Sequence, residues 1–344
     1  MDKIPPRYNS GIQRAKGLME IGAALYDTSL SRQTTRSGTP APQIDSRLGT
    51  RLSLRIDLRQ GAAASGGVAV SFGVNGFCHN IMQVAQKEMS LLWINPNAPL
   101  ALAYKGLPPF SAPLPLRAIA VFPSWDATVI AVHESTGITS IEQIRERRYP
   151  LRVSTRDTIA PPFDEDTTMF AVATVLAAAG CSLDDIRAWG GSIQPLSRPS
   201  HPDRAEAIEK GAVNAIFDEG ILSWGQFALE RGFRFLPIAG ALGERVKAAG
   251  YDLVDVTPSR LPGLKQPVPS IDFSGWPMIV HVDMPDDVAY ALCEAIEGRK
   301  LVIPTDNYKP LDLGQLCSIG EETPRGAPLH PGAERFYRER GYLR

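Results

Sequence analysis

An arginine stands directly after one of the apolar segments of this chain. The segment LRVST ends at Thr155 and is followed by Arg156, whose guanidinium can hold a carboxylate through two parallel hydrogen bonds. Thr167 begins the apolar stretch TTMFAVATVLAA, where a hydroxyl can cap a helix or bind an anion. The acids at 164–166 are expected to form a solvated first-turn cluster that complements the helix dipole. This stretch predicts a position for a carboxylate ligand.

Two further segments place acids and aromatic rings at the ends of apolar runs. Asp218 and Glu219 follow AIF, and they are candidates for hydrogen-bond acceptors or a general base, with helix capping as the alternative. Trp125 offers apolar contact to a planar ligand, and Asp126 can accept from a hydroxyl or an amine; the alternative is a turn with a tryptophan at a hinge. Trp276, before another apolar run, is expected to line the same site.

The segment Asn75–Asn80 is the fourth candidate. A helix that starts near His79 would direct free N–H groups at an anion. Asn75, His79 and Asn80 are therefore candidate carboxylate ligands, and Phe77 is a candidate to stack on an aromatic ring. The alternative is a capped helix with a surface histidine.

Neither a metal nor a cofactor is predicted. The histidines at 133, 201 and 281 lack metal-ligand spacing, and the four cysteines are widely spaced without a CxxC pair.

Apolar runs of strand length alternate with amphipathic segments of helix length. Strands are predicted at 52–58, 116–122, 128–133, 151–155, 215–217, 234–238 and 278–282, and helices at 11–26, 138–146, 167–179, 205–210, 223–230 and 286–297. Residues 29–47 are predicted to be a loop, and the Pro-, Gly- and Ser-rich stretch 252–277 an ordered loop. The alternation predicts an α/β protein with mostly parallel sheets flanked by helices.

Charge and hydropathy restrict the partners. The chain has 344 residues, with 36 Lys and Arg against 37 Asp and Glu, so nothing attracts nucleic acid over a long range. No apolar stretch approaches the roughly 20 residues of a membrane span, so no membrane insertion is predicted. Glu20 interrupts GLMEIGAALY, so no export signal is recognised. The expected location is cytoplasmic as the sequence is given, and periplasmic if a signal was trimmed.

Four segments carry a family resemblance, and the last is the most specific. They are LRAIAVFPSWDATVIAVHESTGITSIEQI, AIEKGAVNAIFDEGI, VHVDMPDDVAYALCEAIEG and PLHPGAERFYRERG at residues 328–341, which we call the closing segment. In this order they resemble the TAXI family, the solute-binding subunits of a class of tripartite (TRAP) transporters. The resemblance covers roughly residues 75–343.

The sequence departs from that family at several positions where ligand contacts are expected. Phe77 and His79 stand where the family has Ser and Glu, and Asn214 where it has Asp. Lys87 replaces the glycine that ends a helix, and residues 156–168 replace a Gly-Ser-Gly-Thr segment.

The resemblance implies a two-lobed, periplasmic-binding-protein-like (Venus flytrap) fold. Lobe one would hold 1–127 and 277–344, lobe two 128–276, and a small organic acid, aromatic acids included, would bind in the cleft between them. The closing segment would place a last helix on lobe one. TRAP membrane subunits are the implied partners.

Two other functions remain open. The first is a cytoplasmic enzyme on the same scaffold, a decarboxylase or other lyase that acts on a carboxylic acid, since closure around a carboxylate desolvates it. His79, Asp126, Asp218 and Glu219 would then be the acid–base candidates. The second is a ligand sensor without transport or catalysis.

Overall fold

The computed structural model describes residues 16–25, 43–45, 53–59, 67–74, 78–157, 166–303 and 310–344. These residues form two compact units. The central unit is Asp126–Phe273, and the flanking unit joins the described residues up to Trp125 with Ser274–Arg344. The chain therefore divides after Trp125 and after Phe273, whereas the sequence placed the divisions after residues 127 and 276.

The flanking unit is a sheet covered by helices. Its strand order is β1 (Gln43–Asp45), β2 (Ser53–Arg59), β3 (Gly67–Val74), β4 (Leu91–Trp93), β13 (Trp276–His281) and β5 (Leu116–Phe122). Its helices are α1 (16–25), α2 (Cys78–Ala85), α3 (Ala98–Lys105), α10 (Asp286–Gly298), α11 (Leu313–Cys317) and α12 (Pro331–Glu339). The apolar face of α1 is buried, as the helical spacing of Leu18, Ile21 and Leu25 predicts.

The central unit is also a sheet with helices. Its strand order is β11 (Leu253–Val256), β12 (Val268–Asp272), β6 (Ala127–His133), β9 (Ala215–Asp218), β7 (Arg152–Arg156) and β8 (Ser192–Leu196), and β10 (Phe233–Leu236) also pairs with β6. Its helices are α4 (Glu142–Glu146), α5 (Thr167–Ala178), α6 (Leu183–Ala188), α7 (Pro202–Glu209), α8 (Gly225–Leu229) and α9 (Gly240–Ala248).

The α/β class is confirmed, but the expectation of mostly parallel sheets is wrong. Among the strand pairings that the structure describes, eight are antiparallel and three are parallel. The strands β6 and β13, on which the chain enters each unit, run antiparallel to all their neighbours. A helix between two consecutive strands makes them parallel neighbours only when they are adjacent in the sheet, and here β3–β4 and β7–β8 meet this condition.

The ordered loop predicted over 252–277 is also wrong, because it contains β11 and β12 as an antiparallel pair. Pro269 lies inside β12, opposite Asp255. A proline cannot donate to a ladder, and its presence argues against a strand in sequence. Here the Pro269 carbonyl still accepts from the Ile238 N–H at 2.8 Å, so the strand forms despite its composition.

Asn214, at the start of β9, is a hydrogen-bond acceptor. Its side-chain oxygen accepts from the Arg152 N–H at 2.7 Å, and its backbone oxygen accepts from the His133 N–H at 2.8 Å. Its own N–H donates to the Arg152 oxygen at 2.9 Å. An Asp could accept the same side-chain bond, so this departure from the family pattern leaves the local structure unchanged.

The closing segment packs the last helix on the flanking unit. His330 caps α12, because its Nδ1 accepts from the Gly332 N–H at 3.2 Å, and Pro331 takes the first helical position, which suits its fixed φ. A Cβ on Gly332 would lie 2.0 Å from the Asp286 oxygen, so glycine allows α12 to approach the start of α10. The His330 N–H also donates to the Ala118 oxygen at 2.8 Å, which ties the segment to β5.

Candidate functional site

The ends of three strands bring charged side chains together in the central unit. The strands β7 and β9 are parallel neighbours, with Thr155 opposite Phe217, so Arg156 and Asp218 leave the sheet at the same edge. Asp126 precedes β6, whose Val129 pairs with Asp218, so Asp126 reaches that edge from the opposite direction. We call the following set the charged cluster: Asp126, Arg156, Asp166, Arg204, Asp218 and Glu219.

Arg204 and Asp218 form the buried part of the charged cluster. Their side chains are 1% and 0% exposed, and Arg204 Nη2 donates to Asp218 Oδ2 at 2.5 Å. The other donors of Arg204 are also used, since Nε donates to Ser154 Oγ at 3.2 Å and Nη1 to the Pro199 oxygen at 2.7 Å. Its guanidinium lies 5.5 Å from the ring centre of Trp224. This pair is satisfied within the protein.

Sequence reasoning missed Arg204, because the helix PDRAEAIE looks like a charged surface helix. A signal was present, since Arg204 shares one helix face with Ala207 and Ile208, and all three are buried. An arginine on an apolar face indicates a buried ion pair, because guanidinium suits such pairs better than ammonium does.

Arg156 is held much more loosely than Arg204. Its Nη2 lies 3.6 Å from Asp166 Oδ2 and 3.9 Å from Glu219 Oε1, and its Nε lies 4.0 Å from Asp218 Oδ1. These distances are longer than ordinary hydrogen bonds. Burial works against the charge, but the carboxylates of Glu219, Asp218 and Asp166 outweigh it and raise the pKa of Arg156. Among the described residues its buried Nη1 has no hydrogen-bond partner, so this nitrogen has donors available for a ligand.

Asp126 and Glu219 form a pair of carboxyl groups joined by a hydrogen bond. Asp126 also accepts from the N–H groups of Ala127 at 2.7 Å, Gly220 at 2.9 Å and Ile221 at 3.4 Å. Burial raises the pKa of Asp126 to about 6, and burial together with the charge of Asp126 raises the pKa of Glu219 well above its ordinary value. A carboxyl can donate to a carboxylate only when it is protonated, so the pair shares a proton.

The other predicted residues of the central unit have local structural contacts. Thr155 is buried, and its hydroxyl donates to the Phe217 oxygen at 2.6 Å, so its proton is already used. Asp166 is the N-cap of α5 and accepts from the N–H groups of Thr168 and Met169. Thr167 is the first residue of that helix and is partly exposed. The acids at 164 and 165 lie outside the described residues.

The remaining predicted residues belong to the flanking unit. On α2, His79 is exposed and Asn80 is buried. Trp125 and Trp276 are both buried, and the Trp276 carbonyl accepts from Trp93 Nε1 at 3.1 Å. Asn75 and Phe77 lie outside the described residues.

The scan against protein-family models finds no match. Among solved structures, the chain is similar to XAC2383 from Xanthomonas citri bound to a chloride ion, with 14% identity over 75% of this chain and 77% of that chain and a TM-score of 0.37. It is also similar to a TctC solute-binding protein from Polaromonas, with 11% identity over 82% and 79% and a TM-score of 0.32. A third is the periplasmic aliphatic sulphonate-binding protein SsuA from Escherichia coli, with 15% identity and a TM-score of 0.31. The match covers 64% of this chain and 59% of SsuA. Two of the three are named as binding proteins, and all three likenesses are distant.

The described residues contain neither a membrane-spanning helix nor a group of side chains suited to a metal ion. No helix among them has the length and apolar character needed to cross a bilayer. Within the same part of the chain, no three His, Cys, Asp or Glu side chains are grouped so that they could hold a metal ion.

Proposed function

We propose that this chain binds a small organic acid and that Arg156 holds the ligand carboxylate. The observation that carries the proposal is the contrast between the two arginines of the charged cluster. All three guanidinium nitrogens of Arg204 donate to protein atoms. Within the part of the chain that the structure describes, Arg156 instead makes long ion pairs, and its buried Nη1 has no hydrogen-bond partner. A buried guanidinium nitrogen gains most from an acceptor that a ligand supplies.

The position of Arg156 supports the same proposal. It ends β7 at the edge where β9 also ends, and ligands of open α/β sheets bind outside the carboxyl ends of the strands. The side chain is 16% exposed, so it remains within reach of a small solute. Its raised pKa keeps it charged throughout the physiological pH range.

The finer part of the proposal is that the chain is a TAXI-type subunit that serves TRAP membrane subunits. It rests on the order of the resembling segments and on the closing segment. Purification of the chain together with TRAP membrane subunits encoded beside its gene would support this part. Genes of aromatic-acid breakdown in that place would count against it.

The test of the ligand site is a thermal-shift screen against organic acids, with each hit followed by calorimetry. A ligand that binds only the folded state raises the melting temperature. Arg156→Gln should weaken binding of any hit about 30-fold or more, because the partner carboxylate loses its charged donor. Unchanged affinity in Arg156→Gln would exclude Arg156 as the carboxylate ligand.

Arg152→Gln is the matched control, because Arg152 stands at the other end of β7 and is exposed. It should leave the affinity unchanged. NMR of each bound acid over several hours completes the test. Conversion of the acid would assign the chain to the lyases instead of the binding proteins.

A further inference from the structure

The charged cluster contains more carboxyl groups than a site for a simple anion requires. It holds four carboxyl side chains and two guanidinium groups, and one of those guanidinium groups is already paired with Asp218. Three carboxyl groups therefore remain: Asp166 and Glu219 lie beside Arg156, and Asp126 adjoins Glu219. A ligand that brought a second negative charge to this place would be repelled by all three carboxyl groups.

Glu219 is the carboxyl group of the cluster that is best placed to meet a ligand. Asp126 accepts from three backbone N–H groups, and Asp166 accepts from two at the start of α5. Glu219 Oε1 instead has a 3.9 Å contact with Arg156 Nη2, and its side chain is 12% exposed. The proton that Glu219 shares with Asp126 lies where a positively charged group of a ligand could contact Glu219.

We propose, on the basis of the function proposed above, that the ligand is a zwitterion whose ammonium group contacts Glu219 while its carboxylate contacts Arg156. The ammonium takes the place of the proton shared by Asp126 and Glu219, which is released to solvent. The positive charge of the ligand then offsets the surplus of carboxylates, and its negative charge is held by Arg156.

The spacing of the two protein groups restricts the ligand further. Glu219 Oε1 and Arg156 Nη2 are neighbours at 3.9 Å, so the two charged groups of the ligand must also be neighbours. An α-amino acid meets this condition, because its ammonium and carboxylate are attached to one carbon. A γ-amino acid separates them by two further carbons and fits less well.

The experiment is calorimetry of the full chain with L-α-amino acids, each compared with the acid in which hydrogen replaces the amino group, such as leucine with 4-methylpentanoate. At least one amino acid should bind about 30-fold or more tightly than its partner acid. Equal or tighter binding of the partner acids would overturn this inference and leave the proposed function standing. Binding of neither set would overturn this inference, and the thermal-shift screen of other organic acids would then decide the proposed function.

Glu219→Gln tests the residue without changing its size. The amino acid should then bind only as well as its partner acid, whose own affinity should stay the same or rise severalfold because Arg156 loses a nearby carboxyl group. Glu209→Gln is the matched control, since Glu209 is an exposed residue at the end of α7. An amino-acid preference that survives Glu219→Gln would overturn the assignment.

The direction of the pH dependence is an independent readout. The ionisable groups that face Glu219 are Asp126, Asp218 and Arg156, and Arg156 stays charged. If ammonium displaces the shared proton, binding releases protons, and affinity falls as the pH is lowered. Proton uptake on binding, measured in buffers of different ionisation enthalpy, would contradict the proposal.

Discussion

The closing segment and the charged cluster differ in how their side chains are held. The closing segment fits by shape, since His330 caps α12 and Gly332 leaves room for the Asp286 oxygen. The charged cluster gathers four carboxyl groups around two guanidinium groups, and the pKa of Glu219 is raised well above its ordinary value in consequence. The closing segment is held by capping and close packing, whereas the charged cluster has two more carboxyl groups than guanidinium groups.

This difference separates two kinds of sequence signal. The segment PLHPG is the most specific in the chain, and the structure accounts for it by capping and close packing. The charged cluster is drawn from short, ordinary-looking segments, and its charges meet only when the sheet forms. A group of side chains with perturbed pKa values is a candidate functional site, even when each of its segments is ordinary in sequence.

The largest expected effect comes from the buried half of the charged cluster. Arg204→Leu removes the partner of Asp218 and leaves a carboxylate that is 0% exposed without its main counter-charge. The free energy of unfolding should fall by about 3–5 kcal/mol, measured by urea denaturation. Arg231→Leu, which removes a partly exposed arginine paired with the exposed Glu209, should cost about 1 kcal/mol or less. Similar losses in both variants would show that Asp218 is not held by Arg204.

The second prediction concerns the stability of the charged cluster as a function of pH. The folded-state pKa of Asp126 is about 6, raised from 3.8, so the folded state binds more protons than the unfolded state above pH 4. Stability contributed by protonation is therefore present at low pH and is lost as the pH rises through about 6, by up to about 3 kcal/mol.

Urea unfolding between about pH 4.5 and 7.5 measures this loss against a reference variant. Glu219→Gln removes one member of the pair, so its stability should fall less steeply with pH than that of the wild type. Parallel pH profiles for the two proteins would mean that the two carboxyl groups do not share a proton.

The third prediction tests whether the closing segment depends on shape. In Gly332→Ala the new Cβ would meet the Asp286 oxygen at 2.0 Å, so α12 must shift, at a cost of about 1–3 kcal/mol. Gly298→Ala is the matched control at the end of α10, where a Cβ meets nothing within 4 Å. It should leave stability unchanged or raise it by up to about 1 kcal/mol. Equal effects of the two variants in thermal unfolding would refute the role of close packing.

The sequence predicted local features better than long-range pairing. Helical spacing correctly placed the buried face of α1, and helices were expected where α5 and α12 lie. The cap of α5 is Asp166 instead of the expected Thr167. Strand direction and the strand that contains Pro269 were wrong, because neighbours in a sheet are chosen by burial over long separations that composition does not report.

The charged cluster shows the same division between local and long-range information. Arg156, Asp218 and Glu219 were predicted as candidates because each follows an apolar run. Their number of charged neighbours could not be predicted, since Arg204 comes from a helix and Asp126 from the start of another strand. A surplus of carboxyl groups is a property of the assembled sheet edge, and no single segment contains it.

The smallest expected effect on stability is at Asp166, where a substitution tests the electrostatics of the charged cluster through ligand affinity. This residue caps α5 and also lies 3.6 Å from Arg156 Nη2, so it has both a structural and an electrostatic role. Asp166→Ser keeps a good capping side chain and removes the charge, so the free energy of unfolding should change by about 0.5 kcal/mol or less. A carboxylate ligand should bind severalfold more tightly, because Arg156 loses a competing anion.

Asp312→Ser is the matched control, since Asp312 caps α11 in the same way in the flanking unit. This substitution should leave affinity unchanged. Weaker binding in Asp166→Ser alone would mean that Asp166 contacts the ligand directly, through an ammonium group, and would place the cation beside α5 instead of at Glu219.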